Sequence, residues 1–128
     1  MFTKKKNHKS LKVGLIQGNR PLIERKLKPK EKVTIGPHPK NTFVIEYDGL
    51  PKKFVAFKPQ GERYLLYFLP GMKGKIAVKD KAISLDNLVD RGVVETKKGQ
   101  HSVSISARTR GKIVFGDYRI LFRFEDAP

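Results

Sequence analysis

The chain has 128 residues, with 28 Lys and Arg against 12 Asp and Glu, no Cys, and a formal net charge of +16. This length fits one domain, and the absence of Cys excludes disulfides and Cys-ligated zinc or iron–sulfur sites. No apolar run approaches the ~18 residues of a membrane-spanning helix, and no apolar segment follows the basic start, as a secretory signal requires. We therefore expect a cytoplasmic domain without a cofactor, whose positive field attracts anionic partners.

Short β-type runs separated by turn residues occupy most of the chain, a pattern typical of β-sandwiches and barrels. Alternation is clearest in the last run, where Tyr118, Ile120, Phe122 and Phe124 share one face. The predicted strands, in chain order, are Lys12–Gln17, Leu22–Leu27, Lys32–Ile35, Thr42–Glu46, Phe54–Lys58, Arg63–Phe68, Lys75–Lys79, Val93–Thr96, Ser102–Ala107, Lys112–Phe115 and Tyr118–Phe124.

One segment predicts a short helix among these strands. Ser84 is a favourable N-cap, Leu85, Leu88 and Val89 recur at helical spacing, and Gly92 is a stop signal. The sequence thus predicts an all-β, mainly antiparallel β-sandwich of about ten to eleven short strands with one short inserted helix. We divide the chain into a flexible basic arm (1–10), this domain (11–125) and the start of a linker (126–128).

Candidate catalytic groups are scarce. His8, His38 and His101 have no metal-ligand spacing, and the chain has neither a nucleophile elbow nor a Walker-type phosphate loop. Asp86 and Asp90 lie four residues apart on the predicted helix, where a solvated helix face accounts for both. We therefore expect no catalytic residue, no metal ligand and no enzymatic activity.

Two neighbouring segments carry a resemblance to a known family. A β-run that ends in Ile35-Gly36 leads through a Pro-bearing loop into the run Asn41–Ile45, and a further loop leads into a run at Phe54. This layout resembles the phosphopeptide-binding edge of the forkhead-associated (FHA) domain, a β-sandwich that binds phosphothreonine through loops at one end. The resemblance covers residues 11 to 124 and implies an FHA-like sandwich.

The phosphate-binding positions of the family are replaced here. Its Gly-Arg corresponds to Gly36-Pro37, its Ser-Arg-x-His to Pro51-Lys52-Lys53-Phe54, and its Asn-Gly-Thr-like turn to Lys73-Gly74-Lys75. Lysine offers a hydrated point charge where serine and arginine offer directional hydrogen bonds. Phe54, in place of the histidine that buttresses the loop in the family, is expected to turn into the core.

The resemblance therefore implies a non-catalytic protein-interaction module with degenerate phosphothreonine-reading residues, similar to N-terminal FHA-like modules of multidomain bacterial proteins. We expect a monomeric module of a longer chain that binds a protein or peptide, phosphorylated or not. The candidate ligand-binding residues at the loop edge are His38, Lys40, Lys52, Lys53, Lys73 and Lys75. The candidate scaffold glycines are Gly36, Gly74 and Gly116.

Three alternatives remain open. The first is a basic module that binds nucleic acid or an anionic membrane surface, and lysine's excess over arginine favours diffuse electrostatics over base recognition. The second is a functional phosphothreonine-peptide binder that uses lysines. In the third, the loop lysines are ordinary solvated side chains.

Overall fold

The computed structural model describes residues 9–126, which form a two-layer β-sandwich of twelve strands and one short helix. Its elements are β1 (Lys9–Gln17), β2 (Ile23–Lys26), β3 (Val33–Gly36), β4 (Phe43–Val44), β5 (Phe54–Gln60), β6 (Arg63–Phe68), β7 (Lys73–Val78), β8 (Lys81–Ser84), α1 (Leu85–Asp90), β9 (Glu95–Lys97), β10 (Gln100–Ile105), β11 (Thr109–Phe115) and β12 (Tyr118–Asp126). The predicted all-β sandwich with one inserted helix is confirmed.

The strands divide into two six-stranded sheets. The first sheet has the order β2-β1-β12-β11-β7-β8, and the second has the order β4-β3-β5-β6-β10-β9. Neighbouring strands are antiparallel except β3 and β4, which pair in parallel over two residues. The longest ladder joins β1 to β12, so that Lys9 lies opposite Asp126 and Gln17 lies opposite Tyr118.

The core lies between the two sheets and follows from period-2 alternation. In β12, Tyr118, Ile120 and Phe122 are buried as predicted, while Phe124 is only partly buried. Phe57 of the second sheet meets Phe122 of the first edge to face, with ring centroids 5.1 Å apart. Such contacts add about 0.5–1.5 kcal/mol to the stabilisation from burial alone.

The predicted helix is confirmed, with its caps. The Ser84 hydroxyl accepts a hydrogen bond from the backbone N–H of Asn87 at 3.1 Å. Leu85 and Leu88 are buried, and Gly92 follows the helix at a φ of 69°. The cap satisfies a backbone donor that the first turn leaves free, and the two leucines fix the helix to the sandwich.

The sequence did not predict β8, which accounts for the twelfth strand. Lys79 and Asp80 connect β7 to β8, and Lys79 adopts a φ of 56°. A left-handed lysine gives no turn signal in a sequence, because this conformation is normally assigned to Gly, Asn or Asp. The pairing of β8 with β7 extends the first sheet by one edge strand.

The predicted arm and linker lie mostly outside the described residues. Residues 1–8 and 127–128 are not described, whereas Lys9, Ser10 and Asp126 belong to β1 and β12. No helix between residues 9 and 126 is long and apolar enough to cross a membrane.

Candidate functional site

Several connections gather at one end of the sandwich, which we call the loop end, and four of them bear on the candidate residues. They are the β3–β4 loop (37–42), the β4–β5 loop (45–53), the β6–β7 loop (69–72) and the β11–β12 turn (116–117). Contacts join the two sheets there, since the Tyr118 hydroxyl donates a hydrogen bond to the backbone carbonyl of Glu46 at 3.2 Å. The first four candidate ligand-binding residues lie on the first two of these loops.

The carbonyl oxygen of Lys52 is the junction between the β3–β4 and β4–β5 loops. It accepts hydrogen bonds from the backbone N–H of His38 at 3.3 Å and from the side-chain amide of Asn41 at 2.8 Å. Asn41 is buried, and its own backbone N–H donates to the carbonyl of His38 at 3.1 Å. Three hydrogen bonds therefore hold the two loops in one arrangement.

Gly36 allows this close approach. Its φ is 146°, and a Cβ atom built on it would lie 2.5 Å from the carbonyl oxygen of Lys52. Such a contact is far shorter than real Cβ atoms make, so any side chain here would displace the β4–β5 loop. The loop arrangement thus depends on glycine at this position.

The β4–β5 loop is also fixed to the first sheet by an aromatic ring. Tyr47 meets Phe115 edge to face at 5.1 Å, and Phe115 stacks in turn on Tyr118. The Tyr47 ring covers Gly116, where a Cβ atom would lie 2.7 Å from Cε1 of the ring. Tyr47, whose sequence position did not indicate a face, is therefore a clamp between the sheets.

The charges at these two loops are exposed and mostly positive. His38, Lys40, Lys52 and Lys53 are all exposed. His38 Nδ1 accepts a hydrogen bond from the backbone N–H of Lys40 at 3.1 Å. The three lysine amines make no hydrogen bond or ion pair with any residue of the described part of the chain. The β4–β5 loop also contains two exposed acidic residues, Glu46 and Asp48.

Phe54 is fully inside the core at 2% exposure, as the sequence predicted. Asn41, from the neighbouring loop, joins the two loops through its hydrogen bond to the carbonyl of Lys52. The sequence predicted Asn41 only as the first residue of a β-run, because this hydrogen bond links positions eleven residues apart.

The expected turn at Lys73-Gly74-Lys75 is wrong, because these residues begin β7. Lys73 lies opposite Val114, Gly74 opposite Ile113 and Lys75 opposite Lys112, so the ladder to β11 starts earlier than predicted. The turn lies instead at residues 69–72. Lys75 consequently belongs to the outer face of the first sheet, away from the loops.

Lys73 stands at the loop end but has a partner. Its amine forms an ion pair with the carboxylate of Asp86 on α1 at 3.0 Å, and both side chains are about two-thirds exposed. An exposed pair of this kind contributes at most about 1 kcal/mol, so a ligand anion can compete with it. The structure thus groups His38, Lys40, Lys52 and Lys53 on joined loops and separates Lys73 and Lys75 from them.

The acidic and imidazole groups near α1 do not assemble into a metal site. His101 packs against the ring of Phe68, and its Nδ1 lies 2.8 Å from the hydroxyl of Thr96. Among residues 9–126, no three His, Asp or Glu side chains are placed to hold a metal ion. Asp86 pairs with Lys73 instead, through the exposed ion pair described above.

Comparison with known proteins adds no relative, because the chain matches no family model, no curated protein and no solved structure.

Proposed function

We propose that the chain is a non-catalytic protein-interaction module of the FHA-like type that binds a peptide at the loop end. One observation carries the proposal: the backbone of Lys52 is fixed at the junction of two loops while its amine is exposed and unpaired. Lys53 follows it, and His38 and Lys40 stand on the joined loop. A rigid backbone that presents free charge is suited to recognition, because little order has to be imposed on binding.

We infer that phosphate is a weak determinant of this binding. Pro37 and Pro51 supply no backbone N–H, and the lysine amines are flexible donors without a fixed direction. Anionic groups are attracted, but a phosphate is not distinguished strongly from a carboxylate. We propose binding that is independent of phosphorylation or altered from the usual phosphothreonine recognition.

The experiment is a titration of matched peptides, each as phosphothreonine, threonine and glutamate forms, against the full chain. The test variant is Lys52→Gln/Lys53→Gln. Its matched control is Lys79→Gln/Lys81→Gln, which removes the same charge at the β7–β8 turn, at the other end of the sandwich. Circular dichroism verifies that both variants remain folded.

We expect the test variant to weaken peptide binding by at most about fivefold per lysine, the upper range for exposed ion pairs, and the control to leave it unchanged. The phosphothreonine and glutamate forms should bind similarly. Strong phosphothreonine dependence that the test variant abolishes would establish the lysine-based phosphopeptide binder instead. If no peptide in a broad library binds, the interaction proposal fails.

The proposal includes a cytoplasmic monomer within a longer bacterial protein. The absence of Cys is compatible with a reducing compartment. The remaining context comes from the FHA resemblance alone.

A further inference from the structure

The outer faces of the two sheets differ in charge. Alternation and register place eight cationic side chains on the outer face of the first sheet, with the carboxylates of Glu24 and Glu125 among them. The corresponding face of the second sheet carries Lys58, Arg63 and Lys97 beside Glu95. The eight cations of the first sheet are Lys12, Lys26, Lys73, Lys75, Arg110, Lys112, Arg119 and Arg123.

On the β1 side of this face the cations have partners within the fold. Lys12 lies 3.4 Å from Glu125 and 3.7 Å from Glu24, and Arg123 lies 2.7 Å from Glu125. Lys26 donates a hydrogen bond to the backbone carbonyl of Asp126. Two carboxylates thus offset two of the three positive charges on this half, and the third cation has a backbone acceptor.

On the other half Lys73 pairs with Asp86, and the remaining four cations have no such partner among residues 9–126. Lys75, Arg110, Lys112 and Arg119, which we call the cationic patch, form no side-chain hydrogen bond or ion pair with the described residues. Lys75 lies directly opposite Lys112, and Arg110 lies two residues from Lys112 on β11. Arg119 is diagonal to Lys112, because Leu121 is the residue opposite it. The Cβ atoms of neighbours in these positions are about 5 to 8 Å apart, so Lys112 is close enough to be repelled by the other three cations.

This arrangement opposes folding, since like charges directly across a strand pair are destabilising. A polyanion would convert the repulsion into attraction by replacing small counterions with its own phosphates. The outer face also has no aromatic side chain among its described positions in β1, β7, β11 and β12. It therefore offers no stacking platform for the bases of a single strand.

We propose that the cationic patch binds the phosphate backbone of double-stranded nucleic acid, without sequence preference. Lys and Arg contacts to phosphate position a protein on a duplex but carry no sequence information. The surface is separate from the loop end, so the inference does not depend on peptide binding there.

A membrane surface fits the patch less well. Peripheral binding to lipid combines charge with apolar side chains that enter the headgroup region. The apolar residues between the patch cations, Val114 and Leu121, are half-buried in the sheet. Of the exposed large apolar side chains of the first sheet and its loops, Leu22 lies over Gly14 of β1 and Ile23 belongs to the edge strand β2. Val78 ends β7 in the register of the buried Ile76. The patch thus offers charge without insertion.

The test measures binding of a fluorescent 20-base-pair duplex at a series of salt concentrations. The patch variant is Lys75→Gln/Lys112→Gln. Two controls remove the same charge elsewhere: Lys52→Gln/Lys53→Gln at the loop end, and Lys4→Gln/Lys5→Gln in the basic N-terminal segment. Each lost phosphate contact should reduce the slope of log affinity against log salt by about 0.9, so the patch variant should lose about 1.8.

We expect the controls to change the slope less than the patch variant, and a scrambled duplex to bind as well as the first. Thermal unfolding of the patch variant should occur at the same or a higher temperature than in the unmodified chain, which excludes misfolding as the cause of weaker binding. Equal slope changes in all three variants would show diffuse charge and overturn the proposal. Binding to vesicles of phosphatidylserine and phosphatidylcholine without binding to the duplex would overturn it as well.

Discussion

Thr34 and Thr42 bind each other reciprocally: the hydroxyl of each accepts a hydrogen bond from the backbone N–H of the other, at 3.0 and 3.1 Å. Thr34 is buried in β3, and Thr42 immediately precedes β4. The pair closes the segment between two parallel strands that share only two ladder positions. Side chains thus supply the hydrogen bonds that the short ladder does not.

Replacing either hydroxyl should destabilise the fold. Thr34→Val keeps the branched shape but leaves the N–H of Thr42 without its acceptor, at a cost of about 1–3 kcal/mol. Thr42→Val does the same to the buried backbone of Thr34. Urea unfolding of both single variants and of the double variant measures the coupling. The loss of unfolding free energy in the double variant should be less than the sum of the two single losses, because breaking either hydrogen bond weakens the other. Thr34→Ser keeps the hydroxyl and should cost clearly less than Thr34→Val.

Asn41 should tolerate a carboxylate poorly at neutral pH. Its amide donates to Lys52 in a buried position, and its own Oδ1 has no partner within residues 9–126. In Asn41→Asp an ionised carboxylate would face the carbonyl of Lys52, and we expect a loss of about 3 kcal/mol in the free energy of unfolding at pH 7.

The loss in Asn41→Asp should shrink in acid. The protonated carboxyl group can donate to the carbonyl of Lys52, and burial disfavours the ionised form. Both effects raise the pKa of the introduced acid above its ordinary value of about 3.9. Because the pKa is raised in the folded state, the protonated acid contributes its full stability below the ordinary pKa. This contribution is lost as the pH rises through the raised pKa. Urea unfolding at pH 3 and pH 7 tests this. The same penalty at both values would show that Asn41 acts through its shape alone.

Glu125 should contribute to stability in a way that acid removes. The hydrogen bond from Arg123 lowers the pKa of Glu125, partial burial opposes this, and the charge of Lys12 adds to the lowering. The contribution is therefore present above the ordinary glutamate pKa of about 4.3 and is lost as the pH falls through the lowered value. Glu125→Gln should lose less stability between pH 5 and pH 2 than the unmodified chain. Asp80→Asn, in the β7–β8 turn, is the matched control, and parallel curves for both variants would contradict the assignment.

Tyr47 and Gly116 should behave as a coupled pair. Gly116→Ala places a methyl group against the Tyr47 ring at a φ of 54°, and we expect a cost above about 1 kcal/mol. Tyr47→Ala removes the edge-to-face contact with Phe115, at about 0.5–1.5 kcal/mol beyond the lost burial. In the double variant the methyl group no longer meets the Tyr47 ring. Thermal unfolding of the double variant should therefore show a smaller loss of stability than the sum of the two single losses. Strict additivity would mean that backbone strain alone sets the cost at Gly116.

Much of the fold could be predicted because local patterns determine it. Arg63–Phe68 alternates between buried and outward positions, and its predicted bounds match β6. The helix carries its own cap and stop residues, so Ser84 and Gly92 indicated both of its ends. β8 was not predicted because its turn contains Lys79 in the left-handed region, a conformation that a sequence normally assigns to Gly, Asn or Asp.

The site could be predicted only in part, since its interactions join distant residues. Asp86 neutralises Lys73 across thirteen positions, and the repulsion between Lys75 and Lys112 exists only because β7 pairs with β11. Nothing in the sequence around these cations distinguishes those that have a partner from those that have none among residues 9–126. That distinction requires the strand order.

The pairing of Lys9 with Asp126 brings the two ends of the described chain together on adjacent strands. Both ends of the described chain lie at the end of the sandwich opposite the loop end. The described chain ends and the loop end thus lie on opposite sides of the first sheet. Tension applied between the two ends would separate β1 from β12 one residue pair at a time, starting at Lys9 and Asp126. The pair Gln17 and Tyr118, beside the β11–β12 turn at the loop end, would be the last to separate.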